Sequence, residues 1–290
     1  MRKIHYTDQY LLNPYHPVTV FVIGAGGTGS QVVTCLARMG MALQALGHPG
    51  LHVTVFDPDT VTEANIGRQL FSEAETGLNK AVALVTRINR FFGYTWEAKG
   101  KSFPSRRKHD GDSPGLANII ITCTDNIRSR LDLWRLLKHH RKNTHNDEKT
   151  PIYWMDFGNA QTTGQVLIGN IRNKIHQPAS TEYHTIPRMN VITEETSYYT
   201  IEEKASGPSC SLAEALQKQA LFINSMLEQA VPPLRRRIPD RAVRWRKHCR
   251  SRTSSSTPCW HKPAATSSGA CSGKEEPFTG EPISTLTRYG

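Results

Sequence analysis

Gly24, Gly26, Gly27 and Gly29 form a G-x-G-G-x-G cluster in VTVFVIGAGGTGS, Val18 to Ser30. A cluster of this kind can hold phosphate. Bare backbone lets an anion approach the N–H groups, and a helix starting there adds partial positive charge. The first glycine suits a tight turn, Gly26 and Gly27 suit close approach, and Gly29 suits packing of helix on strand. Asp57 closes the apolar run LHVTVFD, and an acid at such a strand end can accept from ribose hydroxyls. It lies 28 residues beyond Gly29, against the usual ~20, and QALGHPG accounts for the excess as a loop insertion. Asp125 closes a third apolar run, LANIIITCTD. Together these residue types point to nucleotide binding. The glycine cluster and Asp57 alone would equally suit a NAD(P)-dependent oxidoreductase. A separate candidate is Cys210, at a helix start in GPSCSLAEAL, where the helix terminus would favour thiolate.

The elements that must position these residues emerge from periodicity. Val18–Ile23 is a continuous β-branched run, read as a central parallel strand buried on both faces. A helix comes next over Ser30–Met41, then a strand over Leu51–Asp57 and an amphipathic helix over Leu78–Phe92. WEAKGKSF reads as an edge strand, Arg106–Gly115 as a polar loop, Leu116–Asp125 as a buried strand and Asn126–Lys142 as a helix. PIYWMDFGN is a further strand, with TGQVLIGNI as its antiparallel partner. The alternation predicts an α/β, Rossmann-like, doubly wound and mostly parallel sheet, with helices on both faces and an antiparallel extension. Ligands of such sheets bind outside the carboxyl ends of the strands, where the glycine loop, Asp57 and Asp125 converge. Residues 170–208 read as an irregular segment, which in a compact domain is functional or disordered. SCSLAEALQKQALFINSMLEQA then reads as an amphipathic helix, capped by Ser209 or Ser211 with Glu214 in support.

Bulk properties narrow the class. The 290 residues, 38% of them apolar, suit one large α/β domain or one domain plus an appendage. No apolar run is long enough to span a membrane, and the N-terminus has no secretory h-region, so a cytoplasmic protein is expected. The six cysteines form no C-x-x-C pair, so no zinc site is expected. The net charge is +11, but residues 231–290 hold 12 Lys/Arg against 4 Asp/Glu, leaving only +3 in the first 230 residues. Nucleic acid is therefore not the expected partner. The division is a domain over 1–230, with its nucleotide-binding core at about 18–169, and a basic Ser/Pro-rich tail over 231–290. Both a disordered tail and a shifted reading frame account for the abrupt loss of pattern near residue 231; a nucleic-acid arm is the weaker third account.

The series beginning at Asp57 is more specific than the glycines. Asp57, Asp59, Val61, Asn65, Ile66, Arg68 and Gln69 run as D-x-D-x-V-x-x-x-N-I-x-R-Q; Gly77 and Lys80 come next, then Thr124, Asp125 and Asn126 as T-D-N. This series resembles the ThiF/MoeB/HesA family, adenylating enzymes related to ubiquitin-activating enzymes, over about residues 18–169. GPSCSLAEAL further resembles the ThiF-type members of the PRTRC system, a gene cassette of mobile elements. The resemblance implies ATP and Mg²⁺, a ubiquitin-like protein with a free C-terminal carboxylate as partner, and a homodimer. The carboxylate would attack the α-phosphate of ATP and release pyrophosphate. Arg68 and Lys80 would hold the triphosphate, the first as a bidentate contact and the second as a point charge. Asp125 would work with Mg²⁺, and Asp57 would bind the ribose. Asp59 would orient its loop, Asn65 and Gln69 would line the phosphate side, and Asn126 would complete the nucleotide site. For Asp125 the structural alternative is a helix N-cap. Some relatives pass the activated protein to a cysteine, for which Cys210 is the candidate. The family's N-terminal R-Y-x-R-Q segment, which supplies an arginine to the partner subunit, is missing from MRKIHYTDQYLLNPY. A non-catalytic, nucleotide- or protein-binding member is the remaining alternative.

Overall fold

The computed structural model describes residues 2–103, 115–142, 149–159 and 164–195. All fall within the first of the two units into which the chain divides, Met1–Arg241. In chain order the elements are β1 (Arg2–Ile4), α1 (Gln9–Leu12), β2 (Val18–Ile23), α2 (Gly27–Ala45), β3 (Leu51–Phe56), α3 (Lys80–Phe92), β4 (Glu97–Lys99), β5 (Ile119–Thr122), α4 (Ile127–Leu137), β6 (Tyr153–Asn159), β7 (Gly164–Asn170), β8 (Tyr183–Thr185) and α5 (Ile192–Glu195).

Six strands form one sheet in the order β4-β3-β2-β5-β6-β7. Every neighbouring pair is parallel except β6 with β7. The doubly wound α/β reading therefore holds, including the weak edge strand and the antiparallel partner. The β-branched run of β2 lies at the centre, with Val18, Val20 and Val22 almost fully buried. Alternate residues of the strands feed two apolar clusters. Val20 and Val22 pack with Val32, Val33 and Leu36 of α2 and with Leu84 and Ile88 of α3. Ile23 and Phe56 pack with Ile120, Trp154, and Leu133 and Leu137 of α4. The strand order reverses between β2 and β5, which opens a crevice at their carboxyl ends.

Helix starts differ from the periodic reading for local reasons. α2 begins at Gly27 rather than Ser30, so its first turn includes part of the glycine cluster. α3 begins at Lys80 because Asn79 caps it, its side chain accepting from Val82 N–H. The segment read as irregular contains β8 and α5. β8 pairs in parallel with β1, a strand that periodicity does not reveal. Their junction is polar. His5 Nδ1 donates to the Ile186 carbonyl at 2.7 Å, which leaves Nε2 to accept from the Tyr153 hydroxyl at 2.8 Å. The same hydroxyl accepts from Asp8 N–H, and Asp8 caps α1 and pairs with Arg172 at 3.3 Å. Burial holds the His5 imidazole below its usual pKa, so it serves there as a neutral hydrogen-bonding group.

The Ser209/Ser211-capped helix, Cys210, most of the Arg106–Gly115 loop and the 231–290 tail lie outside the described residues.

Candidate functional site

The site is built at the rim where β2, β3 and β5 end. Ile23 is in register with Phe56 on one side and Thr122 on the other, so the loops after all three strands leave at one level. Gly24 takes φ +97°, and a Cβ there would sit 2.8 Å from the Cys123 carbonyl oxygen. Both the conformation and the close approach to the β5 loop require glycine. At Gly29 a Cβ would fall 1.8 Å from the Gly24 carbonyl oxygen, so this residue lets α2 pack onto its own turn. Gly26 is different. Its φ of −73° is ordinary, and a Cβ there would meet nothing nearer than Gln69 Nε2 at 4.0 Å. The protein's own packing does not demand glycine at that position. Gly26 is instead a bare N-cap at the start of a 19-residue helix, with no side chain capping it. That is a cradle for an anion.

Asp57 is buried at 5% exposure. One carboxylate oxygen accepts from Ala25 N–H at 2.5 Å and the other from Asp59 N–H at 2.8 Å. Burial raises its pKa, against the opposing pull of those two N–H groups and of Lys80. The geometry thus gives Asp57 a duty that spacing did not reveal, tying the glycine loop to the next strand end. Its side chain is committed to main-chain donors in addition to anything it offers a ribose.

Lys80, the first residue of α3, is buried, and its ammonium lies 3.2 Å from Asp59, whose side chain is 66% exposed. The cation is therefore enclosed on the protein side and neutralised from the solvent side. Asn79 fixes this corner by donating to the main-chain carbonyls of Asp57 and Asp59. Between β3 and α3 the chain makes two 3-10 turns, Glu63–Asn65 and Glu73–Glu75. In the first, Asn65 is a structural residue: its side-chain oxygen accepts from the N–H and hydroxyl of Thr62. Arg68 is half-buried, with burial holding its guanidinium below its usual pKa. Gln69 is buried and reaches back toward Gly26. Among the described residues, Gln69 Oε1 and Thr124 Oγ1 are buried polar atoms with no hydrogen-bond partner. Both belong to segments that meet at the crevice, and such orphans ask for a ligand or water.

At the end of β5, Asp125 is exposed and Asn126 caps α4, accepting from Ser129 N–H at 2.8 Å. The N-cap alternative for Asp125 is thus corrected: the neighbouring asparagine holds that position, and Asp125 is left exposed beside it. Cys123 is packed against the core, and burial pushes its thiol pKa up, consistent with a packing role. Among the described residues no cluster of three or more His, Cys, Asp or Glu could hold a metal. The donor set fits a hydrated Mg²⁺ that takes one carboxylate and its remaining ligands from phosphate and water. It does not fit a protein cage.

One buried pair under the site escaped the sequence reading. Arg130 of α4 donates to Asp156 of β6 at 2.7 Å, with side chains 7% and 1% exposed. Arg130 also donates to the carbonyls of Asn126 and Phe157, and Thr122 donates to Asp156. A lone acid inside the apolar run YWMDFG was the available signal, since such an acid is buried and needs a partner.

The ThiF family model matches residues 7–232. The chain is 28% identical over 136 residues to ubiquitin-like modifier-activating enzyme 5 of Drosophila willistoni, covering 43% of this chain and 31% of that one. It is 30% identical over 109 residues to the ATP-dependent ubiquitin transferase-like protein Cap2 of Enterobacter hormaechei subsp. hoffmannii (strain UCI 50), covering 36% and 16%. The chain thus spans about a third or less of the length of these curated relatives. Among solved structures, tRNA N6-threonylcarbamoyladenosine dehydratase TcdA of E. coli is similar at 21% identity, covering 50% of this chain and 52% of that one with a TM-score of 0.34.

Proposed function

The chain belongs to the ThiF family, and we propose that it carries out ATP-dependent adenylation of the C-terminal carboxylate of a ubiquitin-like protein. The observation that carries this reading is the cradle at Gly26. A bare helix N-terminus faces it, Gln69 reaches toward it, and Lys80 and Arg68 stand on the helix and loop that come after Asp57. Names of the relatives support the same substrate class, since two of them refer to ubiquitin-like proteins or ubiquitin transfer. Family membership favours adenylation over the NAD(P)-dependent alternative, which leaves Arg68, Lys80 and Asp125 without a joint task.

In the proposed reaction a carboxylate oxygen of the protein substrate forms a bond to the α-phosphorus of ATP. The bond from that phosphorus to the bridging oxygen breaks, and pyrophosphate departs with the electron pair. Negative charge accumulates on the leaving phosphates. Main-chain N–H groups at the start of α2 hold the phosphates, and Lys80 and Arg68 stabilise the charge as it develops. Their partial burial strengthens that interaction. Lys80 exchanges part of its contact with solvent-exposed Asp59 for phosphate, a low-cost exchange because Asp59 stays hydrated. Asp57 fixes the glycine loop and offers remaining lone pairs to the ribose; Asp125 would hold Mg²⁺, which would supply further charge neutralisation.

The proposal extends to a domain over residues 1–230, a homodimer, a reducing cytoplasm in which Cys35 and Cys123 stay free thiols, and thioester transfer to Cys210. Affiliation with the PRTRC system rests on the sequence of residues 207–216. The test is calorimetry of the full chain with ATP plus Mg²⁺ against NAD⁺. Mg²⁺-dependent binding of ATP with none of NAD⁺ is expected; preference for NAD⁺ overturns the reading. Exchange of labelled pyrophosphate into ATP, driven by a ubiquitin-like protein with a free C-terminus, then tests the reaction itself.

A further inference from the structure

Arg68 stands beside Gly67, which takes φ +78°, in the loop between two 3-10 turns. Two residues on, Leu70 is 40% exposed, between buried Gln69 and Phe71. Its main chain, however, is gripped from both sides. Leu70 N–H donates to Ser30 Oγ in the first turns of α2 at 3.3 Å. Its carbonyl accepts from Arg87 Nη2 of α3. Arg87 is fixed in turn: its Nη1 donates to both carboxylate oxygens of Glu75 at 2.8 and 2.9 Å, and its guanidinium lies 6.0 Å from the ring centroid of buried Phe71. Glu75 also accepts from the N–H and hydroxyl of Ser72, which closes the second 3-10 turn. At the centre of this set a planar fork meets a charged acceptor, the geometry that loses least entropy per bond.

Two residues of α3 therefore bear on the site's two cations. Lys80 is its first residue, and Arg87 lies about two turns later on the same side of the helix. We infer that Arg87 is a positioning residue for the nucleotide site, acting through the Leu70 carbonyl to set Arg68 against the glycine loop. α3 then acts as a spacer that fixes how far Arg68 stands from Lys80. This inference rests on the proposed nucleotide site. It predicts that a change on α3, remote from the phosphates, alters the contact made by Arg68 without altering the charge of the site.

Arg87→Lys keeps the charge facing Glu75 but cannot fork between a carboxylate and a carbonyl. Two measurements on the full chain test it. In hydrogen exchange, the amides of Gln69, Leu70 and Phe71 should exchange roughly 2- to 10-fold faster, the factor for losing one hydrogen bond, while the middle of α3 is unchanged. In calorimetry with ATP and Mg²⁺, Arg87→Lys should weaken binding by a similar factor, and Arg68→Ala by about tenfold or more. The double variant should bind no more weakly than Arg68→Ala alone, because Arg87 acts through Arg68. Unchanged exchange of the three amides overturns the clamp. A loosened loop with additive losses in the double variant overturns the route through Arg68. If the wild-type chain binds no ATP, the proposed function fails while the exchange measurement still decides the clamp. Glu75→Gln, which weakens the grip on Arg87, should show the same pattern in smaller degree and stands in if Arg87→Lys does not fold.

Discussion

Replacing Arg130 by Met should cost stability in a way that depends on pH. Arg130 Nε lies 2.7 Å from Asp156, and the two side chains are 7% and 1% exposed. Removing the cation leaves a carboxylate with the Thr122 hydroxyl at one oxygen, while among the described residues Oδ2 has no hydrogen-bond partner. Breaking one side of a buried pair costs about 3–5 kcal/mol, which for a domain of this size lowers the melting temperature by roughly 6–20 °C. The pH dependence comes from Asp156. Burial already raises its pKa above 3.8, and Arg130 is the largest influence pulling it back. In Arg130→Met that pKa rises further. Below the ordinary carboxylate pKa the acid is neutral in both folded and unfolded chains, and the charge penalty vanishes. As pH climbs through the window above 3.8, the unfolded chain releases its proton first. The wild type shares this loss up to its own raised Asp156 pKa, so the deficit opens above that point and grows by about 1.4 kcal/mol per pH unit until the variant's folded group also ionises. Thermal melts from pH 4 to pH 8, compared with the wild type at each pH, read this directly. Arg130→Met/Asp156→Leu should recover much of the loss, since an apolar pair replaces the ionic one. A deficit under about 1 kcal/mol, or one independent of pH, would mean that Asp156 is not held as a buried carboxylate by Arg130.

The glycines should separate packing from ligand holding. Gly29→Ala, with its Cβ 1.8 Å from a carbonyl oxygen, should cost at least about 1–3 kcal/mol in melting experiments; Gly26→Ala should lose no more than about 1 kcal/mol, the difference between Gly and Ala at an N-cap, yet weaken ATP binding about tenfold in calorimetry. Asn126→Ala should lose about 1 kcal/mol with the α4 cap, whereas Asp125→Ala should leave the melt unchanged and lower only Mg²⁺-dependent ATP binding. Lys80→Met should also melt near the wild type, because Asp59 is 66% exposed and stays hydrated without its partner, but should lose ATP affinity in titrations.

Local signals carried most of the architecture into view. A β-branched run ending in glycines can be little but a buried strand and a turn, and the strand-end acids come from the same runs. Long-range pairing could not be read from spacing. Nothing in the spacing shows that both oxygens of Asp57 are taken by Ala25 and Asp59 N–H groups, since that depends on how two loops meet. Asn65 reads as a ligand by position, yet its side chain closes its own turn on Thr62. Asp125 and Asn126 both suit a helix cap, and only the backbone angles of the turn decide between them. Arg130 and Asp156 meet because β5 and β6 are parallel neighbours, and Arg87 reaches Leu70 only once the loop has folded back. Three-residue strands such as β1 and β8 carry no period at all.

The pairing of β1 with β8 bears on how the chain is made. Among the described residues β1 has no strand partner until β8 exists, and His5 closes on the Ile186 carbonyl across 181 residues. At ribosomal rates of about 5–20 residues per second, the first strand waits roughly 10–40 s as an unpaired edge. The central β2–α2–β3 unit can assemble meanwhile from contacts close in sequence. The N-terminal strap thus closes only after β8 has been made, and a nascent chain halted before residue 183 would carry it open, exposed to pairing with other chains.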